Sequence, residues 1–232
     1  MSITDNYRQI TERIRKAENA SNRTPGSVKL MAVSKFHSSE EIEESIKAGA
    51  TLFGENRVQE AAEKFPDLLK KHPEIELHMI GSLQRNKVKQ IVPIASCIQS
   101  VDRIELIEEI EKQCAKINKT MKILFEYHTG EESKSGFTSI EELTKAIRFL
   151  ENCPHIQPAG FMTMAPLTDD KTIIENSFKK LVSVSDAVKK LFPQYNMNEL
   201  SMGMTNDFET AISCGSTIVR IGTAIFGERQ KQ

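Results

Sequence analysis

The sequence predicts an α/β fold: a single closed (β/α)8 barrel of the TIM type, carrying one extra amino-terminal helix and spanning residues 1–232 as one domain. Three observations lead there. Eight short apolar or β-branched runs alternate with amphipathic helical patterns along the whole chain. Such alternation implies parallel strands, because each parallel neighbour needs a helical crossover. No Pro/Gly/Ser-rich linker or low-complexity tract divides the 232 residues, and barrels of this kind reach that size as one unit. An open doubly wound sheet shares the alternation and stands as the alternative.

The elements follow in order. Ile3, Tyr7, Ile10 and Ile14 recur at helical spacing, so the chain opens with a helix that ends before SNRTPG. Strands are expected at 30–34, 51–53, 77–80, 96–100, 121–127, 156–161, 199–202 and 217–221. The clearest helices between them cover 104–117 and 172–192. In the second, Ile174, Phe178, Leu181 and Val188 share one face, and Lys179, Lys180 and Lys189 belong to a solvated one.

Composition narrows the function. Hydrophobic residues make up 39% and charged residues 27%, an ordinary balance for a chain with a large core. A formal net charge of −1 gives nucleic acid or an anionic membrane no electrostatic reason to bind. Cys97, Cys114, Cys153 and Cys214 form no paired motif, and the five histidines show no metal-ligand spacing. The opening MSITDNYRQITERIRK is polar, and no apolar run approaches the roughly 20 residues of a bilayer span. The expected compartment is the cytoplasm.

Chemistry concentrates at strand ends. Lys35 closes the run KLMAVSK just before a helix, which puts a primary amine on the carboxyl-end face where ligands sit in such folds. Shielded there, an amine can shed its proton and attack a carbonyl to form an imine. Alone, Lys35 reads better as a lysine that snorkels or pairs with Glu41 or Glu43 at the following helix start. In STIVRIGTAIFG, Gly222 and Thr223 follow a strand and can bring backbone N–H groups and a hydroxyl to a phosphate. In LSMGMTNDF, Ser201 and Gly203 offer a second such turn, and Thr205, Asn206 and Asp207 are N-cap candidates.

Arg220 lies inside a β-branched strand, where a charge must be paired (Glu55 is a candidate) or face a ligand. In FGENRVQEA, Glu55 and Asn56 are expected to project where Lys35 does, with a helix cap as the plainer role of Asn56. His78 and Ser82, in LHMIGSLQRNK, add polar groups beside a further strand end. Glu131, Glu132 and Lys134 are expected in solvent, and Met162 and Met164 inside the barrel.

Taken together, LMAVSK, LFGENRVQE, LHMIGSLQRNK, SVDR, GEESKSGF, GFMTMAP and LSMGMTNDFETAISCGSTIVRIGTAIFG resemble the YggS/PROSC-type pyridoxal 5′-phosphate (PLP) homeostasis proteins over nearly the whole chain. Those proteins resemble the amino-terminal barrel of alanine racemase. The resemblance implies an internal aldimine between Lys35 and PLP, a phosphate held by Ser201, Gly222 and Thr223, and Asn56 near the ring. It sets Arg220 against the pyridine nitrogen and His78, Ile80 and Ser82 in the pocket wall. One departure is Tyr127-His128, where relatives commonly show Val-Asn.

The function so implied is reversible storage of PLP in vitamin B6 homeostasis, without efficient racemase turnover. Direct delivery to apo PLP-dependent enzymes is a compatible partner interaction. A monomer is expected, since the chain lacks the extra carboxyl-terminal domain of the racemases. The alternatives are a small PLP-dependent amino-acid racemase or lyase, with Tyr127 or His128 as second base, and a cofactor-free imine-forming aldolase.

Overall fold

A computed structural model describes residues 2–131 and 135–228 of the chain. Its centre is a closed barrel of eight parallel strands in sequence order: β1 (Lys29–Val33), β2 (Leu52–Glu55), β3 (Glu76–Met79), β4 (Cys97–Val101), β5 (Met121–Glu126), β6 (Ile156–Met162), β7 (Glu199–Ser201) and β8 (Ile218–Ile221). Each matches a run expected from sequence to within two residues. The open-sheet alternative fails at one seam: β1 pairs with β8, Met31 opposite Arg220 and Ala32 opposite Ile221.

Around the barrel stand α1 (Ile3–Ala20), α2 (Ser39–Lys47), α3 (Val58–Lys71), α4 (Val88–Ile91), α5 (Ile104–Lys116), α6 (Ile140–Phe149), α7 (Lys171–Leu191), α8 (Phe208–Ser213) and α9 (Thr223–Phe226). Local chemistry starts several of them. Ser2 with Asp5, and Ser38 with Glu41, form reciprocal capping boxes at α1 and α2, and Asp170 caps α7. The extra helix α1 buries Tyr7, Ile10 and Ile14. Its Glu18 accepts from the backbone N–H groups of Gly26 and Val28, which ties the SNRTPG loop back to the start of β1.

Strand alternation divides the buried side chains into two populations. Ala32, Phe53, Leu77, Ile98, Phe125, Phe161 and Val219 point outward into the layer shared with the helices. Met31, Val33, Leu52 and Ile218 form one interior cluster, and Cys97, Leu124, Ala159 and Met162 another. Met162 is thus inside the barrel as expected, whereas Met164 lies beyond the end of β6 and is half-buried. No helix among the described residues is long and apolar enough to cross a membrane.

Candidate functional site

The carboxyl ends of β1, β2, β7 and β8 carry most of the residues singled out from sequence. Lys35 is half-buried, two residues past β1. Asn56 directly follows β2, Ser201 ends β7, and Gly222 and Thr223 follow β8. Because β1 pairs with both β2 and β8, Val33 lies opposite Gly54 and a Cβ at Gly222 would stand 3.3 Å from the Val33 carbonyl oxygen. Ring closure therefore brings the Lys35 turn beside the Gly222-Thr223 turn.

Arg220 holds the interior of this end. Its guanidinium is buried and donates to the Ser201 carbonyl at 2.6 Å, the Ser201 hydroxyl at 2.9 Å and the Thr163 carbonyl at 2.7 Å. Burial pushes Arg220 down to about 10, opposed by the negative charges of Asp207 and Glu126, so it remains a cation at neutral pH. The pairing with Glu55 considered from sequence is not formed. Glu55 has the opposite parity to the interior Gly54 and packs against α3, where Lys64 Nζ lies 2.6 Å from its Oε1. For the same reason Glu55 does not project into the mouth with Lys35.

Glu55 instead supports the Lys35 turn from behind. Ser34 Oγ donates to Glu55 Oε1 at 2.8 Å, and Lys64 Nζ donates to the carbonyls of Ser34 and His37. Phe36 sits at φ 68°, in the left-handed region that a bulky side chain rarely enters, and its N–H donates to Glu60 at 2.8 Å. The backbone on both sides of Lys35 is thereby fixed. Glu41 is occupied by Ser38 and His37, and Glu43 by Lys71.

This support has a testable pH signature. Burial raises the Glu55 carboxyl above its ordinary 4.5, with Lys64 and Ser34 pulling it back. A raised folded-state pKa means stability is fully present below the unfolded value and is lost as pH rises through the folded one. Lys64→Met removes the main downward pull, so the folded value climbs further. The variant is expected to lose about 3–5 kcal/mol at neutral pH, the usual cost of orphaning a buried charge. Denaturant melts should show that loss shrinking as pH falls toward 5, and a pH-independent loss would refute the assignment.

Other expected residues fall differently. Asn56 is held close under β3, where a Cβ at Gly81 would stand only 2.2 Å from its carbonyl oxygen, so position 81 requires glycine. No side chain caps α3, so Asn56 does not serve it that way. Ser82 is exposed beyond β3. His78 is not at the carboxyl-end mouth: it lines a cavity at the amino-terminal end of the barrel and reaches the Arg220 cluster only through Gln99 and Ser201. Asp207 precedes α8 without capping it, because its carboxylate turns back to the Met204 N–H at 2.5 Å.

Tyr127 has outward parity. Its ring joins the barrel–helix core and its hydroxyl donates to the Thr138 carbonyl at 3.3 Å. Glu131 accepts from the Leu167 N–H and so is not simply solvated, whereas Glu132 and Lys134 lie outside the described residues. Gln99 and Thr163 were missed from sequence. Each is a polar residue at a strand or strand end, Thr163 inside GFMTMAP and Gln99 just before SVDR, and only the fold sets them beside Arg220 and Ser201.

A family model described as alanine racemase, N-terminal domain, matches residues 6–230. The chain belongs to that family. Within the alanine racemase N-terminal domain family, it is 39% identical to the pyridoxal phosphate homeostasis protein of Pasteurella multocida over 230 residues, covering 99% of this chain and 98% of that one. The structure of PipY from Synechococcus elongatus with PLP bound superposes with a TM-score of 0.82 at 31% identity, over 92% of this chain and all of that one. Alanine racemase from Bacillus anthracis shares the fold, with a TM-score of 0.72 at 16% identity, over 98% of this chain and 57% of its own.

Proposed function

We propose that this chain binds PLP covalently and reversibly through Lys35 and acts as a PLP carrier in vitamin B6 homeostasis. The observation that carries the proposal is the β1–β8 seam, which sets the half-buried Lys35 turn beside Gly222, Thr223 and the buried Arg220. The homeostasis relatives and the PLP-bound PipY structure support it.

The donor set fits the cofactor. Lys35 offers an amine for its aldehyde, Ser201, Gly222 and Thr223 offer a hydroxyl and a backbone turn for its phosphate, and Asn56 stands at the rim. PLP bound there supplies an aldehyde that condenses reversibly with amines and a ring that accepts electrons once its nitrogen is protonated. Arg220, a locked cation, keeps a proton off any ring nitrogen it faces. Its hydrogen bonds to Ser201 and Thr163 leave it no freedom to swing away. Capture through Lys35 is thus retained while carbanion chemistry is weakened.

A two-base racemase needs a second base opposite Lys35. Tyr127 cannot serve, since its hydroxyl is turned away onto the Thr138 carbonyl. Delivery of PLP to apo-enzymes, a monomeric state and a cytoplasmic location belong to the same proposal. The test is borohydride reduction of protein loaded with PLP, followed by peptide mass mapping. A pyridoxyl group on the peptide containing Lys35 is expected. A group on another lysine, or none, would refute the assignment.

A further inference from the structure

The barrel has a second mouth, at the amino-terminal ends of its strands. There the odd-numbered strands contribute Lys29 from β1, Glu76 from β3, Lys122 from β5 and Glu199 from β7, so that positive and negative charges alternate around the opening. Layers of four side chains from alternate strands normally fill this fold. Here the last layer is ionic, and it borders a partly open cavity of about 290 Å³ lined by all four residues, by Glu74 and by His78. Lys29 and Glu199 meet at 2.9 Å across the β1–β7 side.

His78 gives this cavity a directed hydrogen-bond donor. Arg220 can only donate, and its NH1 donates to Ser201 Oγ at 2.9 Å. Ser201 therefore sends its own proton to Gln99 Oε1 at 2.7 Å, which turns the Gln99 amide nitrogen toward His78 Nδ1 at 2.8 Å. Nδ1 must then be the acceptor, and the ring proton sits on Nε2. That nitrogen is buried, in a side chain 3% exposed, and has no hydrogen-bond partner among the described residues. The nearest carboxylate oxygen, on the cavity-lining Glu76, is 3.5 Å away: near enough for His78 to hold the Glu76 carboxyl down to about 2, too long for a good hydrogen bond. A buried donor held only by so long a contact gains from a closer acceptor in the cavity.

We infer that this amino-terminal mouth is a second ligand site, for a small zwitterion with one carboxylate and one ammonium, the chemistry of a free α-amino acid. The carboxylate accepts from His78 Nε2–H and pairs with Lys122, and the ammonium lies between Glu76 and Glu199. A simple anion is disfavoured by the three lining glutamates, Glu74, Glu76 and Glu199, and a simple cation by Lys29 and Lys122. At about 30 Å³ per water the space holds roughly ten waters, enough for a small amino acid. Leu30 and Leu52 provide an apolar wall for its side chain.

The site lies apart from Lys35, so its test must be blind to amino acids reacting with PLP at the other mouth. Wild-type protein treated with borohydride meets that need, and L-alanine is the probe, with acetate and methylammonium as half-ligands. Histidine side-chain NMR reads the His78 ring, assigned by its loss in His78→Gln. A saturable shift with alanine, absent with either half-ligand, is expected. Lys122→Gln and, separately, Glu76→Gln should each weaken it about ten-fold or more in Kd, the scale of one charge-assisted hydrogen bond. Both positions are exposed, so the fold tolerates the changes. A His78 signal indifferent to alanine, moved as far by acetate alone, or bound with unchanged Kd in both variants would overturn the inference. Because this readout needs no PLP, failure of the Lys35 proposal would leave it untouched.

Discussion

Lys35→Ala is expected to abolish covalent retention of PLP while leaving a folded protein. Lys35 is half-buried in a turn, and the turn itself is pinned by Lys64, Glu55 and Glu60 through its neighbours Ser34, Phe36 and His37. Removing the amine therefore takes away the reacting atom without removing the frame. Phosphate contacts around Ser201, Gly222 and Thr223 would still support weak, non-covalent binding. Loss of the covalent link should weaken retention by about 100-fold or more, equivalent to about 2.7 kcal/mol. Gel filtration and absorbance spectroscopy check this: the variant should lose its yellow colour on the column, and borohydride should trap nothing. A variant that keeps a reducible, protein-bound chromophore would place the reacting amine elsewhere.

Arg220→Met is expected to produce a large loss of stability at this end of the barrel. The substitution leaves the Ser201 and Thr163 carbonyls without their donor and the charges of Asp207 and Glu126 without their cation. Orphaning such buried groups costs about 3–5 kcal/mol. For a chain of this size that is roughly 6–20 °C in Tm. Arg220→Lys should recover part of the charge but not the forked donation, giving an intermediate melt. A melt of Arg220→Met within 2 °C of wild type, on the scale of about 1 kcal/mol or less, would show that the guanidinium is not what braces β7 against β8.

The same residue makes a functional prediction of opposite sign. Arg220→Gln removes the cation that, on the proposed mode of PLP binding, would keep a proton off the ring nitrogen. Exchange of the α-proton of added amino acids in deuterated water should rise above the wild-type rate. An unchanged rate would mean that Arg220 restrains structure and not chemistry.

Barrel closure also explains which parts of the site were readable in the chain and which were not. Lys35, Ser201, Gly222 and Thr223 could be placed at the carboxyl-end face because each lies at the end of a strand-like run, and in such a fold that face carries the ligand. Glu55 could not be placed. It follows Gly54 by one residue, and one residue of offset in a strand exchanges the inside of the barrel for the helix layer. His78 was misplaced for a related reason. Its motif continues to Gly81 and Ser82 near the carboxyl end, but its own ring turns back toward Glu76 at the opposite mouth.

Element type and order were determined by the sequence alone, because periods of two and 3.6 residues and the capping boxes are written in neighbouring side chains. The many ordered motifs also identified the family. Only tertiary structure decided that the sheet closes, which charges meet, and that Arg220, Ser201, Gln99 and His78 form one line of hydrogen bonds through the barrel. Those outcomes depend on pairing between segments far apart in the chain. No local periodicity records the register at which such segments meet.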